Sequence, residues 1–123
     1  MDGIKINISI ISHQQSGIVK NILDELSNKN IFNKIIITIN TKENFDNLTV
    51  FKDLPIQFIL NDIPKGFGEN HNHAYKLHDC DYFAVINPDV RLKKLNFQNL
   101  IRYFELKDVH ILAPTAVDEK NKI

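Results

Sequence analysis

The chain has one cysteine, no tryptophan, four glycines and four prolines in 123 residues. With Cys80 alone, an internal disulfide is excluded and a reducing compartment fits. Charge of one sign is also missing. Fifteen basic residues balance fifteen acidic ones, which argues against a duplex-wrapping protein, so no nucleic-acid partner is expected. Long apolar runs are absent too. The N-terminal stretch Ile4 to Ile11 is interrupted by Lys5, Asn7 and Ser9, so it reads as neither signal peptide nor spanning helix. A cytoplasmic location is expected, with the inner face of a membrane as its extreme. The five histidines include no HExxH and no Cys/His zinc spacing. No Ser-His-Asp or Cys-His arrangement stands out, and Ser12 and His13, being adjacent, do not make a nucleophile and base pair. There is no internal repeat and no low-complexity tract.

What is present is the composition of a soluble globular domain, 43% apolar and 24% charged. Residues 1–123 suit one domain that buries roughly two thirds of its unfolded surface. Its most informative segment is YFAVINPDV, Tyr82 to Val90. A short apolar run reads as a buried strand and stops at Asn87-Pro88-Asp89. Pro88 stiffens the turn. A carboxylate on a stiff turn suits a hard divalent cation that shares oxygen ligands with phosphates. The same tripeptide also favours ordinary turns.

Alternation along Ile4, Ile6, Ile8, Ile10 and Ile11 predicts a first strand ending near Ser12-His13. Ser16 is placed to cap a helix from Gly17 to about Asn28, with Ile18, Ile22, Leu23 and Leu26 on one face. Further strands are expected at Ile35 to Ile39, Ile56 to Leu60, Asp81 to Ile86 and Val109 to Ala113. Helices are expected from about Glu69 to Leu77 and from about Asn96 to Leu106, the latter with Leu100, Ile101 and Phe104 apolar. Thr41 to Leu54 is ambiguous and Thr115 to Ile123 is a polar tail. Alternating elements imply βαβ units, a mainly parallel sheet and an α/β fold. Right-handed crossovers gather Ser12-His13, Asn40 to Glu43, Asn61-Asp62 and Asn87 to Asp89 at one sheet edge, where such sheets bind ligands.

Between the third strand and its helix lies Gly66-Phe67-Gly68. Glycines permit positive φ and close approach of a ligand, and a helix N-terminus receives phosphate. The spacing is not GxGxxG, because position 71 is histidine, and no Gly-Lys-Ser/Thr makes a Walker loop. The alternative is a tight entry into the helix with Phe67 in the core. His71 and His73, two apart, point to different faces of a helix.

The ordered segments SIISHQQSGIVKNILDEL, IIITINTKEN, ILNDIPKGFGENHNHAYKL, DYFAVINPDVRL and VHILAPTAVDEKNKI resemble the N-terminal half of family-2 glycosyltransferases. The resemblance implies a GT-A fold, a three-layer α/β/α sandwich with a mainly parallel sheet. It implies a nucleotide-diphosphate sugar donor, UDP- or dTDP-linked, and an inverting, metal-assisted transfer to a polysaccharide or lipid-linked saccharide acceptor. By position, Asn87 and Asp89 match the Asp-x-Asp element that holds Mg²⁺ or Mn²⁺, with Asn87 replacing its first aspartate. Ser12, His13, Asn40, Glu43, Asn61, Gly66, Gly68 and Asn70 match the nucleotide-flanking positions. The family's catalytic base lies in an acceptor-binding half beyond the matched segments. Neither Asp62 nor Asp118 matches that base. The expectation is a donor-binding half, inactive in transfer alone and prone to self-association. The alternatives are a non-catalytic nucleotide-sugar-binding module and a nucleotidyltransferase-like domain.

Overall fold

The computed structural model describes residues 3–92, 94–114 and 120. They fall into two units that divide after Leu92. The first unit holds strand β1 (Ile6–Ser12), helix α1 (Ser16–Leu26), β2 (Lys34–Ile39), a 3₁₀ turn (Asp46–Leu48), β3 (Ile56–Leu60), α2 (Phe67–Leu77) and β4 (Tyr82–Ile86). The second holds α3 (Phe97–Lys107). The protein is thus α/β, with an all-parallel four-stranded sheet ordered β3-β2-β1-β4.

The order explains the layering. From β1 through α1 to β2 the chain steps toward one edge, and from β3 through α2 to β4 it steps back across β2 and β1. Right-handed crossovers in opposite directions put α1 and α2 on opposite faces of the sheet. β1 is therefore covered twice. Ile6, Ile8 and Ile10 are buried, and so are Asn7 and Ser9 on the alternate face. Because that alternate face is polar, β1 reads as an alternating strand although both of its faces are buried. β2, with Ile35, Ile36, Ile37 and Ile39 in the core, shows the continuous apolar run of a strand buried on both sides.

Several expectations need correction. Val19, not Ile18, shares the buried stripe of α1 with Ile22, Leu23 and Leu26. Ile18 is exposed, because the i, i+3, i+4, i+7 rhythm starts one residue later. Ser16 is the first helical residue rather than the cap, and its hydroxyl donates to the Asn44 carbonyl at 3.2 Å. α2 begins at Phe67, a turn fragment earlier than expected. The expected strand at Val109 to Ala113 is not formed. Those residues pair with no strand among the described residues, and Ile111 is 90% exposed. A strand needs a neighbour to hydrogen-bond, and among the described residues this apolar run has none. In α3, Asn96 caps the helix by accepting from the Asn99 N–H at 3.0 Å, and Phe97 and Ile101 are its buried residues. Leu100 and Phe104, expected beside Ile101, are only partly buried. The polar tail lies outside the described residues except for Lys120, and Asp118 with it.

Candidate functional site

All four strands of the first unit end at one edge. At that edge the order reverses between β1, whose connection leads one way, and β4, which arrives from the other. This is the topological switch point, where open parallel sheets leave a crevice. A cleft of ≈ 230 Å³ lies there. Its walls come from Ile11 at the end of β1, Asn40 after β2, Ile86 at the end of β4, and Asn87 and Pro88 after it. Gln15, ahead of α1, and Lys65, Phe67, Asn70 and His71, around the start of α2, complete it.

The polar residues expected at the site divide into two tasks. One group holds the cleft together. Asn40 Oδ1 accepts from the Lys65 N–H at 2.8 Å, from Asn61 Nδ2 at 2.9 Å and from Asn70 Nδ2 at 3.1 Å. Asn40 Nδ2 donates to the Lys65 carbonyl at 3.0 Å and lies 3.2 Å from His13 Nδ1. Asn61 Nδ2 also donates to Asn70 Oδ1 at 2.9 Å. One amide thus joins the end of β2, the end of β3, the glycine loop and the first turn of α2. The hydrogen-bonding capacity of Asn40, Asn61 and Asn70 is spent largely on one another, and Asn40 and Asn70 still form part of the cleft wall.

Ser12 and Glu43 make a second brace. Glu43 Oε2 accepts from the Ser12 hydroxyl at 2.8 Å and from the Gln14 N–H at 2.9 Å, and Oε1 accepts from the Ser16 N–H at 3.1 Å. The carboxylate therefore supplies the N-terminal acceptor that Gln15, the residue ahead of α1, does not. It also holds Gln14 in the left-handed region, φ 59°, a conformation that a non-glycine residue keeps only when its surroundings enforce it. Ser12, His13 and Glu43 are not cleft walls. His13 is exposed, with Thr41 Oγ1 2.9 Å from its Nδ1.

The glycine loop departs from expectation in two ways. Gly66 and Gly68 both have negative φ, and a Cβ on either would meet no atom within 4 Å. The folded chain itself makes no demand for glycine there. What the glycines do is leave the first turn of α2 uncovered, and no side chain caps it. Phe67 is not in the core. It is 60% exposed, lines the cleft and packs edge-on against His71, with ring centroids 4.5 Å apart.

Asn87, Pro88 and Asp89 form a turn closed by the Val90 N–H donating to the Asn87 carbonyl at 3.2 Å. Asn87 and Pro88 face the cleft, whereas exposed Asp89 is not one of its walls. Behind the turn, the Glu25 carboxylate accepts from the Leu92 N–H at 2.7 Å and from the Arg91 side chain, tying the segment to α1. No group of three or more His, Cys, Asp or Glu side chains gathers as a cation site among the described residues. A divalent cation held by Asp89 and Asn87 would have one carboxylate from the protein, and phosphate and water oxygens would complete its shell, as Mg²⁺ allows.

His71 is the residue that sequence reasoning passed over. It is buried, its Nδ1 lies 2.8 Å from Ser9 Oγ, and burial lowers its pKa below the usual histidine value. The signal was Ala74, three residues on, an apolar position that shares the buried side of α2 with Asn70 and His71; His73 is exposed, as the spacing implied. Gln15 had no such signal. Cys80 is no activated nucleophile: burial, then the charges of Asp81 and Asp79, push its thiol up. No helix among the described residues is long and apolar enough to cross a membrane. No family model matches the chain, and no curated protein matches it either.

Proposed function

We propose that the cleft binds the diphosphate of a nucleotide sugar and that the chain is the donor-binding part of a GT-A glycosyltransferase of the family-2 type. The observation that carries this reading is the position of the cleft. It lies at the switch point between β1 and β4, with the uncapped first turn of α2 opening beside it. Free N–H groups at that turn, the positive end of the helix and the Lys65 ammonium favour an anion with several oxygens. Among the described residues, the walls carry no carboxylate that would repel it. Asp89 and Asn87, on the adjoining turn, are the groups that would hold Mg²⁺ or Mn²⁺. Bound there, the ion would neutralise charge on the departing diphosphate. The three-layer α/β/α arrangement of the GT-A fold is part of the same proposal, supported by the parallel sheet and the opposed helices.

A specific observation also favours binding without transfer. Both oxygens of Glu43 are engaged by the protein, and among the described residues no carboxylate lines the cleft, so the described walls offer no carboxylate base for an acceptor hydroxyl. The nucleotidyltransferase-like alternative rests on Lys65 alone and is the weaker.

Calorimetric titration of the protein with UDP, dTDP and their sugar conjugates, with and without Mn²⁺, tests the proposal. Saturable one-site binding strengthened by Mn²⁺ is expected. No binding by any member of the panel at millimolar concentration would refute it.

A further inference from the structure

Among the described residues, His71 has one ring nitrogen engaged by the protein. Ser9 lies within β1, 0% exposed, and its hydroxyl meets His71 Nδ1 at 2.8 Å. Among the described residues that hydroxyl has no other partner. A buried hydroxyl proton without an acceptor is costly, and Nδ1 is the acceptor at hand. If Nδ1 carried the ring proton, the serine proton would be stranded. The edge-on contact with Phe67, 4.5 Å between centroids, fixes the ring plane from the other side. Nε2 makes no hydrogen bond among the described residues, and the ring lines the cleft. The neighbouring wall groups Lys65, Asn87 and Gln15 all carry donors, and among the described residues no carboxylate joins them.

We propose that His71 is a ligand-binding residue: Ser9 donates its hydroxyl proton to Nδ1, the ring keeps its proton on Nε2, and Nε2–H donates to a phosphoryl oxygen of the bound nucleotide. The ligand's identity rests on the nucleotide reading above; the tautomer does not. Ser9 acts as a positioning residue, setting which nitrogen carries the proton without touching the ligand. The preference is for an oxygen acceptor, which fits a diphosphate and disfavours a cationic ligand.

Long-range ¹H–¹⁵N spectra of the ¹⁵N-labelled full chain test it, with the His71 ring assigned by its loss in His71→Phe. The expected result is the Nε2-protonated tautomer in the free protein, a ring shift on adding UDP, and about tenfold weaker UDP binding by His71→Phe. Ser9→Ala should mix the tautomers and weaken UDP binding several-fold while its unfolding transition remains cooperative. These two readouts keep the test decisive if His71→Phe does not fold. An Nδ1-protonated ring in the free protein, or UDP bound as tightly by either variant as by the parent, overturns the proposal. Failure of the parent to bind either UDP or dTDP overturns the nucleotide reading and the ligand contact together, and leaves the tautomer to be judged on the free protein.

Discussion

Glu43 Oε2 accepts from the Ser12 hydroxyl at 2.8 Å, across 31 residues of chain. Through this bond the loop after β2 sets the loop after β1. The same carboxylate receives the N–H groups of Gln14 and Ser16, so one side chain both braces the strained residue Gln14 and begins α1.

Glu43→Ala should therefore cost stability. Three donors lose their acceptor at a partly buried site, and the loss expected is about 1–3 kcal/mol, measured by urea unfolding. Glu43→Gln should recover part of it, since the amide oxygen still accepts. A Glu43→Ala protein within about 0.5 kcal/mol of the parent would show that the brace is decorative.

Asn40 distinguishes scaffold from ligand contact. Asn40→Ala strands the Lys65 N–H and takes one of two acceptors from the amides of Asn61 and Asn70, and should cost about 2–3 kcal/mol. Nucleotide binding should fall with it, because the glycine loop loses its anchor. If instead binding fell while the unfolding midpoint stayed put, Asn40 would be a ligand contact and not the hub described here.

Thr38 Oγ1 is buried and has no hydrogen-bond partner among the described residues. It sits in register between Ile11 of β1 and Ile59 of β3. Thr38→Val keeps the shape and removes the stranded hydroxyl, so it should be neutral or stabilising, by up to about 1 kcal/mol in thermal or urea unfolding. A loss of stability of that size would mean the hydroxyl is satisfied in solution.

The pH dependence follows from His71. Burial lowers its folded pKa, so the folded state holds the neutral ring while an unfolded histidine protonates near 6.5. Below that value the unfolded chain binds more protons. The contribution of His71 is fully present above about pH 6.5 and is lost as pH falls toward the lowered folded pKa. Urea unfolding between pH 7.5 and 5 should show this slope in the parent and a shallower one in His71→Phe. Equal slopes would contradict a buried neutral His71.

For the cation, Asp89→Ala should abolish most of the Mn²⁺ enhancement of nucleotide binding, and Asn87→Asp should strengthen it by adding a second negative oxygen donor. Enhancement that survives in Asp89→Ala would remove the turn from the metal site.

The sheet was legible because its signals are local. Runs such as Ile35 to Ile39 and Ile56 to Leu60 are apolar, β-branched and bounded by polar stops, and they form strands within a residue of where they were expected. The failures are non-local. Val109 to Ala113 has strand composition, but pairing is a property of a neighbour that composition does not supply. Phe67 looks like a core residue by type, yet its place on α2 turns it to the cleft. The strand-end residues were gathered correctly, since a parallel sheet puts every strand end on one edge. Their division into braces and walls was hidden, because Asn40, Asn61, Asn70 and Glu43 find their partners across 9 to 31 residues of sequence. Gly66 and Gly68 drew notice for a backbone freedom that neither uses.

The central claim is that the switch-point cleft receives a nucleoside diphosphate, and amide chemical-shift mapping during titration with UDP and Mn²⁺ tests it most directly. The account predicts perturbations concentrated at Gln15, at Lys65 to His71 and at Asn87 to Asp89, with the opposite ends of the strands, around Asn33 and Asp81, unaffected. Saturating shifts confined to those opposite ends, or no shifts at millimolar UDP or dTDP, would contradict it.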